Sequence, residues 1–125
     1  MKVLLSIKPE FAFKIFNGTK RYEFRKSVFK RSGITTVVVY ASSPVQKVIG
    51  EFTIERILGL DKQRLWQRTR VHSGISKEHF ERYYSSKRFG YAIKIRTLRK
   101  YPEPLCLRRH FNIATPPQSY QYLTE

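Results

Sequence analysis

A single cysteine, Cys106, excludes an intrachain disulfide and any zinc site built on cysteine, and suits a reducing compartment. Long apolar runs are missing too. The opening Met1-Lys2-Val3-Leu4-Leu5-Ser6-Ile7 stops at Lys8-Pro9-Glu10, short of a secretory core. Nothing later approaches the length of a membrane span. These absences point to the cytoplasm, or to the nucleus of a eukaryote. The six glycines are scattered, with no phosphate-cradling loop among them. His72 and His79 have no cysteine or carboxylate pair beside them, so neither a metal nor another cofactor is expected.

Acidic residues are scarcest of all. Nine Asp and Glu face 25 Lys and Arg, a formal net charge of +16 and a pI near 10.3. With 41% hydrophobic and 14% aromatic residues this is a folded domain and not a basic tail. The excess is spread over both halves of the chain, so the cations decorate a folded body. Such a surface suits a polyanion: nucleic acid first, an acidic membrane second, with plain solubility as the third reading. At 125 residues the length fits one domain, residues 1–125, around a single core.

The pattern of apolar residues predicts a mixed fold. Residues 3–7 form a short buried strand, and Pro9 opens a helix with Ala12, Ile15 and Phe16 on one face. Asn17-Gly18 stops it. Residues 20–25 alternate as a strand, with Tyr22 and Phe24 opposite Arg21, Glu23 and Arg25. Ser32-Gly33 turns into a β-branched strand over residues 34–41, ended by Ser42-Ser43-Pro44. Residues 47–58 form a longer one, where Gly50 marks a bulge or a close approach. Leu65, Trp66 and Thr69 share a helix face beginning near Asp61. Ser76 caps a second helix striped by Phe80, Tyr83 and Tyr84, with Ile75 stapled to Phe80. Phe89, Tyr91, Ile93 and Ile95 alternate with Ala92, Lys94 and Arg96 in a further strand. Pro102 and Pro104 are expected to break that strand, leaving residues 105–107 as a last short one. The tail from Ala114 to Tyr120 is turn-like and packs across a barrel mouth or edge. The order implies an α+β fold: a small, partly open β-barrel of five to six strands, with an N-terminal helix and an inserted helical pair.

Chemistry concentrates in Gly18-Thr19-Lys20-Arg21-Tyr22-Glu23-Phe24-Arg25. Lys20 and Glu23 facing one cavity would shift each other's pKa and could orient a base edge, position water, or act as an acid–base pair. In a regular strand their odd separation puts them on opposite faces, so convergence requires the chain to turn before Tyr22. Glu23 has an equal structural reading, as the partner of Arg25 or another nearby cation. Ser42 and Ser43 offer hydroxyls to the same mouth or simply shape the turn before Pro44. Tyr40 and Tyr91 stack on a base or fill the core. Lys94, Arg96, Arg99, Lys100, Arg108 and Arg109 are candidates for phosphate contacts. Cys106, beside Arg108, Arg109 and His110, reads better as an apolar filler than as an activated thiol.

The pattern Gly-x-Lys-x-x-Glu-x-Arg, with Ser6-Ile7-Lys8-Pro9 before it and Tyr40-Ala41-Ser42-Ser43-Pro44 and Val48-Ile49-Gly50-Glu51-Phe52 after it, resembles the ASCH domain of the PUA-like superfamily. That resemblance covers nearly the whole chain and implies an RNA-binding or other nucleic-acid-binding cleft lined by the motif. By that likeness Lys20, Glu23 and Arg25 fall in the cleft; with Lys8, Ser42, Ser43, Tyr91, Lys94 and Arg96, read from the residues themselves, they make up the expected nucleic-acid-binding set. Some small bacterial relatives are amidohydrolases of N4-acetylcytidine, with a lysine at the position of Lys20 and a threonine where this chain has Glu23. Without that threonine the resemblance does not carry the activity over. Ribonuclease activity is also proposed for the family. The expectation is therefore a binding module, with Lys20 and Glu23 as the working pair of a nucleoside or RNA hydrolase in the alternative.

Overall fold

β-Branched and aliphatic runs with no helix-compatible period become strands, and in the computed structural model, which describes residues 1–124, they form one six-stranded sheet. Its strands are β1 (Lys2–Ile7), β2 (Tyr22–Arg25), β3 (Thr36–Ala41), β4 (Lys47–Asp61), β5 (Phe89–Leu105) and β6 (Tyr120–Leu123). They lie in the order β2-β5-β4-β3-β1-β6. β1 and β3 are parallel, joined through helix α1 (Pro9–Phe16) and β2; the other neighbours are antiparallel. The curled sheet does not close, because β2 and β6 terminate its two sides without pairing. Among the described residues no helix is long and apolar enough to cross a membrane.

The main core lies inside the curl. Val3, Leu5, Val37, Val39 and Ile93 meet Ala12 and Ile15 of α1 there. The close fit at Gly50 is a consequence: a Cβ would sit 2.7 Å from the Arg99 carbonyl oxygen and from the Phe16 ring. The register of β3 on β4 and of β4 on β5 also slips at this point, so both readings of Gly50 hold. On the other face of β2 and β5 a second core forms around Phe24, Leu65, Phe80, Tyr84 and Ala92. It is roofed by the inserted helices α2 (Lys62–Thr69) and α3 (Lys77–Tyr83), with a 3-10 turn at Arg70–His72 between them. Both helices start as their sequences demand: the Asp61 carboxylate accepts from the Arg64 N–H, and the Ser76 hydroxyl from the His79 N–H. Tyr40 is buried in a third cluster with Leu107, so it belongs to the core.

Two elements differ from expectation. β5 runs unbroken through Pro102 and Pro104 to Leu105, and in place of a separate short strand at residues 105–107 the chain passes into a short helix, α4, at Leu107–Phe111. The prolines survive because β2 covers β5 only from Tyr91 to Lys94. Between Lys100, opposite Gly50, and Leu105, opposite Val48, the ladder is also interrupted, so the missing N–H groups break nothing. The tail ends in a true strand, β6, antiparallel to β1.

Candidate nucleic-acid cleft

The gap left by the open sheet holds a cavity of about 530 Å³. One wall is β2 and the residue before it: Lys20, Glu23, Phe24 and Arg25. Facing it are the end of β1 (Ser6, Ile7), Lys8 and Phe11 at the start of α1, and Ser42 after β3. Ile75, His79 and Tyr83 close the side formed by α3, and Gln118 of the tail reaches the rim.

Lys20 and Glu23 converge here although they come from opposite sides of the chain. Lys20 precedes β2, in a connection bent by Gly18 at φ +85° and tied down by its own N–H to the Lys14 carbonyl. Moreover, β2 is an edge strand of the sheet, bordering the gap that both Lys20 and Glu23 line. The Lys20 ammonium donates to the Ser73 carbonyl at 2.9 Å and lies 4.6 Å from the centre of the Phe24 ring. Glu23 pairs with Arg25 at 3.2 Å. Arg25 in turn bridges the gap, donating to the Ser6 carbonyl (3.4 Å) and to the carbonyl (3.0 Å) and hydroxyl (3.3 Å) of Ser119. Ser6 adds a 2.6 Å bond to the Pro117 carbonyl. The tail thus laces the two unpaired sides of the sheet together beside the cavity.

Burial dominates the electrostatics. It lowers the Lys20 pKa to about 8, against the raising influence of Glu23 and with a further lowering from Lys14. Burial likewise raises the Glu23 carboxyl above the ordinary carboxylate range, opposed by Lys20 and Arg25. The two shifts run in opposite directions, the lysine down and the carboxyl up, as burial of charged groups dictates. Burial, aided by Arg82 and Lys8, lowers the His79 pKa, and its ring stands edge-on to Phe11 at 5.1 Å. Among the described residues, no buried side-chain nitrogen or oxygen is left without a hydrogen-bond partner. Nor do any three His, Cys, Asp or Glu residues there gather in a metal-binding group.

Of the predicted residues, Lys8, Lys20, Glu23, Arg25 and Ser42 line the cavity. Ser43 is exposed in the turn beyond it. Tyr91 covers Gly59, whose Cβ would lie 3.1 Å from its ring, and stacks edge-on with Phe89. Lys94 pairs with Glu55 at 2.9 Å, and Arg96, Arg99 and Lys100 are exposed along β5 outside the cavity lining. Arg108 and Arg109 sit on α4. Sequence reasoning missed the seat of Lys20. Ser73 supplies its acceptor, and Gly74, at φ +70°, lets the chain pass where a Cβ would lie 2.5 Å from the Lys20 Cβ. Ser-Gly was a legible turn signal, but not one that names its partner. Phe11, His79 and Tyr83 were legible as helix residues without any hint that they share a cavity.

An open, mixed sheet curled round one helix, with an inserted helical roof and a polar cleft in its gap, is the PUA-like α+β class. The family model for the ASCH domain matches residues 5–99, and the chain belongs to that family. A crystal structure of the ASCH protein from Zymomonas mobilis superposes with a TM-score of 0.91 at 28% identity, covering 99% of this chain and 88% of that one. The ASCH domain-containing ribonuclease of Zymomonas mobilis is 30% identical over 95 residues, 76% of this chain and 64% of that protein. The large ribosomal subunit protein uL22 of Ureaplasma parvum is 27% identical over 121 residues, 97% of this chain and 39% of that protein. The chain thus spans less than two thirds of the length of these curated relatives.

Proposed function

We propose that this domain binds single-stranded RNA and seats one nucleotide in the cleft. The observation that carries this reading is the union, in one cavity of about 530 Å³, of hydrogen-bonding charges (Lys20, Glu23, Arg25) with an aromatic wall (Phe11, His79, Tyr83). Single-stranded RNA is recognised by that combination, since an unstacked base offers both a π-face and a polar edge. The volume falls within the range of about 300–1,000 Å³ usual for small-ligand pockets. A net charge of +16 supports a phosphate-rich partner, and the ribonuclease name of the Zymomonas relative supports RNA over other polyanions. Binding of a labelled RNA oligonucleotide should weaken steeply as salt rises, the logarithm of affinity falling by about 0.7 per phosphate neutralised for each tenfold rise in salt. Lys20→Ala should weaken it further at every salt concentration. A flat salt response sinks the reading.

A second reading, hydrolysis, rests on the opposed pKa shifts of Lys20 and Glu23. A group titrating near 8 beside a carboxyl raised from its ordinary value suits general acid–base work on RNA or on a modified nucleoside. Product formed from RNA or N4-acetylcytidine by the wild type, and lost in both Lys20→Ala and Glu23→Gln, establishes it. Equal product from all three proteins excludes the pair.

A further inference from the structure

The helical insert is more basic than its role as a roof requires. Residues 62–88 carry eight Lys and Arg against Glu78 and Glu81, a denser excess than in the rest of the chain. α3 has two working faces. His79 and Tyr83, four apart, look into the cleft with Ile75 from just before the helix, while Lys77 and Glu81 line a separate groove of about 640 Å³. At 3.6 residues per turn, Lys77 and His79 lie about half a turn apart, so the two hollows flank one helix. The groove also holds Trp66, Arg70 and Arg88. Trp66 is half-buried, its inner side packed on Phe80 with ring centres 5.0 Å apart.

Of the four cations lining the groove, only Lys62 is committed, donating to the Tyr84 carbonyl at 3.1 Å. Among the described residues the side chains of Arg70, Lys77 and Arg88 make no ion pair or hydrogen bond, and all three are exposed. Of the two carboxylates there, Asp61 is engaged with Arg64 at 3.4 Å and caps α2. Glu81 alone opposes three free cations. Fixed cations around an aromatic surface match a single strand, whose phosphates need charge and whose bases need a π-face.

We infer that the groove between α2 and α3 is a second RNA contact, which holds the nucleotides flanking the one seated in the cleft, the strand crossing over α3. The inference rests on the cleft reading above and adds the direction in which the RNA leaves. It favours RNA over an acidic membrane because the groove is concave and carries an aromatic ring among its cations, where a lipid surface would need a projecting basic face.

The test compares a labelled single-stranded RNA 12-mer with a nucleoside monophosphate on the full chain. The triple variant Arg70→Glu, Lys77→Glu, Arg88→Glu is set against a charge-matched control, Arg96→Glu, Arg99→Glu, Lys100→Glu. The expected result is a loss of about tenfold or more in 12-mer affinity and a salt slope shallower by about 2 for the groove variant, with monophosphate binding unchanged. The control should lose less of both. Equal losses in the two triples, or a 12-mer affinity untouched by the groove variant, overturn the inference while leaving the cleft reading intact. Failure of the wild type to bind either RNA probe overturns both readings. Adsorption of the wild type to phosphatidylserine vesicles, lost in the groove variant while 12-mer affinity stays the same, assigns the groove to lipid and overturns the inference. Circular dichroism melts of each triple confirm that folded protein is compared.

Discussion

Lys20 is buried as a cation only because a carbonyl, an aromatic face and a nearby carboxylate each offset part of its desolvation. Removing the carboxylate's charge without its shape isolates one of the three. In Glu23→Gln the Lys20 pKa should fall below about 8, since Glu23 is what raises it against burial. A titration of the lysine side-chain resonances reads this directly, and an unchanged or higher value would contradict the coupling. The sign for stability follows from the same shift. The folded value lies below the ordinary lysine pKa of about 10.4, so the unfolded chain binds more protons between roughly pH 8 and 10. Stability contributed at this residue therefore rises with pH across that window. Any advantage of Lys20→Met over the wild type should shrink between pH 7.5 and 9.5, measured by urea midpoints. Gly74 gives a steric counterpart. Gly74→Ala places a Cβ against Lys20 in a left-handed conformation, and a loss of about 2–4 kcal/mol is expected, with RNA affinity falling as Lys20 is displaced. Unfolding curves and binding of the same variant check it. Lys20, Glu23 and Arg25 were legible in the sequence because charged residues in a short, otherwise apolar strand need partners. Ser73 and Gly74 were not, because they meet Lys20 across more than fifty residues of chain, and a turn dipeptide carries no address.

At the scale of elements, the cleft depends on how α3 is started. Ser76 caps it, and the helix then delivers His79 and Tyr83 to the cavity while Tyr83 and Tyr84 hydroxyls reach the carbonyls of Phe24 and Arg25 in β2. Ser76→Ala should cost about 1 kcal/mol, a fall in Tm of roughly 3–6 °C for a domain of this size. Faster hydrogen exchange should be confined to α3 and the adjoining edge of β2. A drop spread evenly over the sheet would place the cap's role elsewhere. The start signals of α2 and α3 were legible because a cap is a local event, settled within four residues. What failed in the sequence were judgements needing the neighbour strand. Pro102 and Pro104 break a strand only where its N–H groups are wanted, and β2 is too short to want them. β6 was hidden for the same reason: Tyr120-Gln121-Tyr122-Leu123 is short and half-polar, and it becomes a strand through the edge that β1 offers. Its approach also supplies Ser119 and Pro117, which no local pattern could have joined to Arg25 and Ser6.

The whole molecule carries a charge that its own structure does not neutralise. Nine acidic residues cannot pair 25 basic ones, and several of the ion pairs present are exposed, where each is worth about 0–1 kcal/mol. Two consequences of opposite sign follow from one variable. Salt screens the attraction of the basic surface for RNA, and it also screens the repulsion among the cations that destabilises the folded state. Raising sodium chloride from about 20 to 300 mM should therefore weaken RNA binding while raising the Tm by several degrees, with most of the gain complete once the Debye length falls below about 8 Å. Scanning calorimetry of the free protein, set beside binding isotherms across the same series, separates the two. A Tm that falls with salt would mean that the ion pairs of Glu23, Glu51 and Glu55 outweigh the net repulsion. The excess of cations would then be a cost already met within the fold, and not one relieved by a bound polyanion.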